Sequence, residues 1–140
     1  MTVAMQRDLF TRRYRQVRAL DPSELQIHIS LVARLRLQCQ PGILYWHTPN
    51  GELRDKRAAA KLKAMATLPG VSDLIFVFPA AAPLLCLELK ARGRVLTDDQ
   101  KVFRDLMRAA GHDYEWTDSL DDAVRILRKY NVLPVTSKSA

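Results

Sequence analysis

The stretch that most constrains the fold of this chain is GVSDLIFVFPAAAPLLCLELKARG, residues 70–93. Two apolar runs, at about 73–78 and 84–90, flank a short loop of alanine and proline, and this pattern predicts two consecutive strands. Both runs carry charged side chains, although charges are rarely buried without a partner. The position of these charges is therefore the first indication of function.

Strand geometry predicts where the charges of the second run point. Side chains alternate between the two faces of a strand, so every second residue shares a face. One face is then apolar and the other carries an acid and a base; the two sets are Leu85, Leu87 and Leu89 on the first face, and Cys86, Glu88 and Lys90 on the second.

Asp73 opens the first run and is expected to meet these charges. If the two runs form a hairpin with a five-residue loop, Asp73 faces about residue 89 and lies within reach of Glu88 and Lys90. Isolated charges in a dry site cost several kcal/mol each, so they must be paired or bind a metal ion.

Two interpretations of this cluster remain open at this point. The simpler one is a buried salt bridge between Lys90 and Glu88 or Asp73. Such pairs add little net stability compared with apolar side chains, so stability explains them poorly. The other is a Mg²⁺ site made by Asp73, Glu88 and the backbone carbonyl of Leu89, because hard cations prefer oxygen ligands. Lys90 would then orient or activate a water molecule.

The remaining segments predict an α/β fold with a mixed central sheet flanked by helices, in the order α-β-α-β-β-α-β-α. Helix-capping residues are expected at Asp21, Thr97 and Ser119, and Gly111 is expected to end the helix after Thr97. The other elements are a strand at 43–49, a helix at 54–66, a strand at 112–117 and a helix at 119–130. No long linker divides the chain, which predicts one domain over residues 21–134 and a frayed tail at 135–140.

Charge indicates a polyanionic partner. The 140 residues carry a formal net charge of +7, and residues 1–20 hold five arginines against one aspartate. An excess of this kind favours nucleic acid. Leu9, Phe10, Tyr14 and Val17 are interleaved with the arginines at near-helical spacing. The segment is therefore either a helix that docks on the domain or on a second subunit, or an arm that grips phosphates.

The motifs around the charged cluster resemble a known family. Asp73 followed after fourteen residues by Glu88-Leu89-Lys90 resembles the signature of the PD-(D/E)XK nuclease superfamily. The chain also resembles the small stand-alone form of the VRR-NUC domain over roughly residues 23–130. The segments that carry this resemblance are YWHTPNGELRDKRAAAKLKAM, PGVSDLIFV and CLELKARGRVLTDDQKVF. Ser72 departs from the family pattern, which usually has proline there. This resemblance implies a restriction-endonuclease-like core.

The resemblance also implies site residues. It matches a helical glutamate at Glu24 and a downstream glutamine at Gln100, beside Asp73, Glu88 and Lys90. Glu24 would add to the metal ligands. Each of Glu24 and Gln100 also stands three residues after a candidate cap, and closing a capping box is the alternative role for either side chain. A largely apolar stripe that follows Glu24 favours its placement toward the core.

Several weaker candidates could contact nucleic acid. Asn50, with Gly51, is sufficiently explained by a turn, and His47 lies in the same strand-turn segment. The basic helix is usually only a solvated face, but beside a nuclease site it becomes a track for phosphates. The candidates for nucleic-acid binding are Asn50, Arg54, Arg57, Lys61, Lys63 and Arg92. His28 and His112 are expected to be structural or solvated.

The function predicted from the sequence is a Mg²⁺- or Mn²⁺-dependent DNA endonuclease. The resemblance implies branched DNA, such as a four-way junction, and a homodimer. A non-catalytic nucleic-acid-binding module with the same fold and basic surface is the alternative, and a structural subunit docked through residues 1–20 is a third. The apolar runs are shorter than the roughly 18 residues of a membrane span, so no membrane partner is expected. Two separated cysteines favour a reducing compartment, and the expected location is the cytoplasm of a bacterium, for a bacterial or phage-encoded protein.

Overall fold

The computed structural model describes residues 23–49, 60–61 and 63–136. Residues 1–20, the helix start at 54–59 and the end of the tail lie outside the described residues, so the predictions made for them stay predictions. Residues 60, 61, 63 and 64 are helical, as expected for the basic segment. The other elements are α1 (Glu24–Gln38), β1 (Leu44–His47), β2 (Leu74–Val77), β3 (Leu85–Leu89), α2 (Asp98–Ala109), β4 (Asp113–Thr117) and α3 (Leu120–Lys129).

The four strands form one mixed sheet in the order β1-β2-β3-β4. β1 and β2 are antiparallel, β2 and β3 are antiparallel, and β3 and β4 are parallel. The parallel pair is connected through α2, as a crossover between parallel strands requires. The predicted α/β class and mixed central sheet are confirmed.

The register between β2 and β3 differs by one residue from the expected hairpin. Leu74 pairs with Leu87 and Phe76 with Leu85. Residues 78–84 lie outside both strands, because the connecting segment contains prolines that cannot donate to a ladder. Continuing the observed register past Leu74 sets Asp73 across from Glu88 rather than from residue 89.

Both faces of β3 are buried, since helices cover the sheet on each side. The first face packs in a cluster with residues of α1 and α3, and it carries the three leucines Leu85, Leu87 and Leu89. The second face carries Cys86, which packs with Leu96, Phe103 and Tyr114. The predicted alternation is confirmed, and it leaves Glu88 and Lys90 on the second face, 2% and 7% exposed.

The helix caps correct one prediction and confirm two. α1 begins at Glu24 with Ser23, not Asp21, as its N-cap, because Ser23 and Gln26 form a reciprocal capping box. Thr97 and Ser119 cap α2 and α3 as expected. Across the described residues, every helix is too short or too polar to cross a membrane.

Candidate active site

Asp73 and Glu88 converge where β2 begins and β3 ends. Asp73 Oδ2 accepts a hydrogen bond of 2.8 Å from the backbone N–H of Leu89, which fixes this carboxylate against the end of β3. Glu88 precedes Leu89 and is buried. Strand pairing therefore brings together the two carboxylates that the sequence separates by fourteen residues.

The two oxygens of Glu88 have different surroundings. Oε1 lies 3.0 Å from Lys90 Nζ and accepts a 2.5 Å hydrogen bond from Gln100 Nε2. Oε2 is buried and has no hydrogen-bond partner among the described residues. A buried carboxylate oxygen without a partner is costly, so its surroundings fit a ligand that supplies positive charge.

The electrostatics of the pair also favour a cation. Burial and the neighbouring Asp73 carboxylate raise the pKa of Glu88 to about 7, against the opposing effect of Lys90. Burial raises the pKa of Asp73 as well, although the N–H of Leu89 and the charge of Lys90 oppose this shift. A divalent cation between the two carboxylates would favour the ionised form of both.

Gln100 has two roles at once. Its Oε1 accepts from the backbone N–H of Thr97 at 2.9 Å, which completes the capping box of α2. Its Nε2 donates to Glu88. The two interpretations offered by the sequence, a cap and a site residue, thus describe the two ends of one side chain.

Gly70 allows α2 to approach the carboxylates this closely. Its φ is +74°, and a Cβ built there would lie 2.4 Å from the backbone of Asp99. Only glycine fits this contact without displacement. The turn that leads into Asp73 is consequently pressed against the first turn of α2, next to Gln100.

Glu24 lies at the first position of α1 and is exposed, so its expected orientation toward the core is wrong. It does not close a capping box, because that role belongs to Gln26. Its charge nevertheless contributes to the raised pKa of Glu88 and counteracts the lowered pKa of His28. Glu24 is therefore close enough to Glu88 and His28 to affect both electrostatically, although its side chain is exposed to solvent.

Two histidines beside Asp73 were not assigned to the site from the sequence. His47 ends β1, and its Nδ1 lies 2.9 Å from the backbone carbonyl of Asp73. The ring of His28 meets the ring of His47 edge to face, with centroids 4.5 Å apart. Potential ligand atoms of His28, His47 and Asp73 lie within 4.8 Å of one another. The pairing of β1 with β2 creates this cluster, and no local sequence motif indicates it.

The nucleic-acid candidates are only partly described. Lys61, Lys63 and Arg92 are exposed, and Arg92 follows the site by two residues. Asn50, Arg54 and Arg57 lie outside the described residues. Contact of these cations with nucleic acid stays a prediction.

Comparison with known proteins shows the fold. No family model matches the sequence, and no curated protein does. Among solved structures, the chain is similar to a "VRR_NUC domain protein" with a TM-score of 0.64 and 20% sequence identity, over 79% of this chain and 89% of that one. This chain therefore shares the fold of a VRR_NUC domain protein, which confirms the fold expected from the sequence motifs.

Proposed function

We propose that this protein is a divalent-metal-dependent nuclease that hydrolyses phosphodiester bonds in DNA. The observation that carries the proposal is the convergence of Asp73 and Glu88, with an unpartnered buried oxygen on Glu88 and the Lys90 ammonium 3.0 Å from its other oxygen. The VRR-NUC-type fold supports the same activity.

The ligands proposed for Mg²⁺ or Mn²⁺ are oxygen atoms. Asp73, Glu88 and the backbone carbonyl of Leu89 would hold the ion, and Glu24 would reach it directly or through water. A divalent cation at such a site supplies Lewis-acid activation of water and neutralises charge on the phosphate. Burial of the carboxylates strengthens their attraction for the ion, because the local dielectric is low.

Lys90 and Gln100 are proposed to have different roles. Lys90 would act on the attacking water, and Gln100 would act by positioning Glu88. The ammonium of Lys90 would orient or activate the attacking water, and it limits the repulsion between the carboxylates. Gln100 donates to Glu88 Oε1, which leaves the unpartnered Oε2 as the oxygen that would bind the ion. In this arrangement one oxygen of Glu88 is used for positioning and the other for binding.

DNA would be bound by exposed cations of the chain. Arg92, Lys61 and Lys63 are proposed to contact phosphates, together with Asn50, Arg54 and Arg57 beyond the described residues. We further propose a homodimer that acts on branched DNA such as a four-way junction. A site of this size cuts one strand, and two symmetric cuts require two sites.

The test is cleavage of linear duplex, single-stranded, flap and four-way-junction DNA with Mg²⁺, Mn²⁺ or EDTA. Wild-type protein is expected to cut with either ion and not with EDTA. Glu88→Gln should abolish cutting, whereas Glu115→Gln should not, because Glu115 contacts Lys129 and Tyr130 outside the site. Light scattering would measure the proposed dimer.

The alternative is a nucleic-acid-binding module without catalysis. The buried Lys90–Glu88 ion pair is the observation that favours it, because that pair neutralises Glu88 without a metal. DNA binding that persists in wild-type protein, with no cleavage of any of these substrates by Mg²⁺ or Mn²⁺, would establish this alternative and refute the nuclease.

A further inference from the structure

We propose a second cation site, built from His28, His47 and Asp73, that takes a nitrogen-preferring transition-metal ion such as Zn²⁺. The three residues come from α1, from the end of β1 and from the start of β2. One ligand atom of each lies within 4.8 Å of the other two. This separation is short enough for one ion to draw the three atoms together by small side-chain rotations.

The hydrogen bond of His47 prepares its ring as a ligand. A backbone carbonyl can only accept, so Nδ1 of His47 must donate its proton to the carbonyl of Asp73 at 2.9 Å. In the neutral ring the lone pair is then on Nε2. Metal-bound histidines almost always donate their other ring N–H to a carbonyl or carboxylate in this way.

The backbone around Asp73 fixes the position of this ring. The same carbonyl of Asp73 also accepts from the backbone N–H of Thr48 at 2.9 Å, which closes β1 against β2 directly after His47. Asp73 itself is held through Oδ2 by Leu89. Two of the three ligands are therefore held by the sheet before any ion binds.

His28 completes the set from the helix above the strand. It is half-buried, and its ring contacts the ring of His47 edge to face. Residues Ile27 and Leu31 on the same helix are buried in the core, which fixes the rotation of α1 and so the direction of His28. The third ligand thus also comes from a packed element.

The donor types decide which ion fits. Two imidazoles and one carboxylate suit Zn²⁺ and similar ions, whereas Mg²⁺ prefers oxygen ligands alone. Three protein ligands leave a coordination position open, and this is the pattern of Zn²⁺ sites that bind water or substrate. The proposed site differs from the carboxylate site of Glu88 in its ligands and in its preferred metal, although both include Asp73.

The experiment is Zn²⁺ titration by calorimetry, using protein without a polyhistidine tag. Co²⁺ replaces Zn²⁺ in a parallel titration, because its visible absorption reports nitrogen ligands and low coordination number. His28→Gln and His47→Gln should each weaken Zn²⁺ binding at least about tenfold, which is the smallest loss expected even for residues that only support a ligand. His112→Gln is the matched control, since this third histidine is outside the cluster and its Nδ1 accepts from the N–H of Leu84.

Glu88→Gln separates this site from the proposed nuclease site. It should remove Mn²⁺ binding at the carboxylates and leave Zn²⁺ binding to the histidines within about threefold. Zn²⁺ affinity that is unchanged in both histidine variants, or an absence of Zn²⁺ binding to folded wild-type protein, would overturn the second site. Mn²⁺ affinity that survives Glu88→Gln would instead count against the nuclease site alone, so the two failures are distinguishable.

Discussion

The side-chain amide of Gln100 joins the N-terminus of α2 to Glu88, accepting from Thr97 N–H at 2.9 Å and donating to Glu88 Oε1 at 2.5 Å. A helix cap and a buried carboxylate therefore depend on one residue. Gln100 therefore couples Glu88 to the position of α2, and Gly70 lies so close to this helix that a Cβ there would be 2.4 Å from the backbone of Asp99. Substitutions can separate these dependencies.

Replacing Gln100 should affect the cap and the site differently. Gln100→Ala removes both contacts, so it should cost roughly 1 kcal/mol of stability and reduce DNA cleavage. Gln100→Glu keeps a capping-box acceptor but sets a third carboxylate beside Glu88, so cleavage should fall further while the cap is retained. Thermal denaturation and single-turnover cleavage measure the two effects.

The capping box of α1 provides the control for this prediction. Gln26 makes the same two contacts with Ser23 that Gln100 makes with Thr97. Gln26→Ala should therefore lower stability by a similar amount without changing the rate of cleavage at saturating DNA. Equal losses of cleavage in Gln26→Ala and Gln100→Ala would show that Gln100 acts only through helix stability.

Lys90 tests the nuclease against the simple ion pair. Lys90→Met leaves Glu88 without its buried partner, which should cost about 3 kcal/mol at alkaline pH and reduce cleavage at least about 100-fold. The double variant Lys90→Met/Glu88→Gln removes both charges and should regain most of that stability. Cleavage should stay absent in the double variant, because neither the metal ligand nor the proposed activating group remains.

If the double variant Lys90→Met/Glu88→Gln regained cleavage as well as stability, a role for Lys90 in the reaction would be contradicted. Metal binding provides a second readout. Lys90→Met alone should retain Mn²⁺ binding by calorimetry, since both carboxylates are present and one competing cation is gone. A loss of Mn²⁺ binding in this variant would mean that Lys90 is needed to organise the carboxylates rather than the water.

The sequence predicted the carboxylate site because the rules that place it are local. Alternation along β3 fixes the face of Glu88 and Lys90, and a short hairpin brings Asp73 within reach even with the register wrong by one residue. Thr97 and Gln100 are three residues apart on a recognisable cap. Each of these inferences depends on neighbours in sequence.

The histidine cluster could not be predicted in the same way. His47 reaches Asp73 through the pairing of β1 with β2, and 25 residues separate the two in the chain. His28 joins them only because α1 packs across the sheet. The cap at Ser23 was also missed, because Asp21 and Ser23 are both good N-caps, and the observed helix start is marked by the capping box that Gln26 forms with Ser23.

Stability without metal should depend on pH through Glu88. Its folded-state pKa of about 7 lies above the ordinary glutamate value of about 4.3, so the folded protein binds the proton more tightly than the unfolded chain. Stability is then greatest below the ordinary value and falls as pH rises toward 7. The raised pKa of Asp73 acts in the same direction.

Thermal denaturation in EDTA at several pH values from 4.5 to 8 measures this dependence. Wild-type protein should lose melting temperature across the window, and Glu88→Gln should lose less because its amide does not titrate. The difference in melting temperature should therefore shift in favour of the variant as pH rises, whatever constant cost Glu88→Gln carries by leaving Lys90 without a charged partner. Parallel curves would show that Glu88 is not held protonated by its surroundings.

Gly70 tests whether the approach of α2 to the carboxylates is needed for the site. Gly70→Ala adds a Cβ 2.4 Å from the backbone of Asp99 at a φ of +74°, so it combines a left-handed backbone with overpacking.

Gly111→Ala is the matched control, because φ is +86° there and nothing lies within 4 Å of the added Cβ. The control should cost about 1 kcal/mol for its backbone conformation alone. Gly70→Ala should cost about 1–3 kcal/mol more and should also reduce cleavage of saturating DNA, since Gln100 would shift relative to Glu88. Equal stability losses in the two variants, with cleavage unchanged in both, would show that the contact between Gly70 and α2 does not position the site.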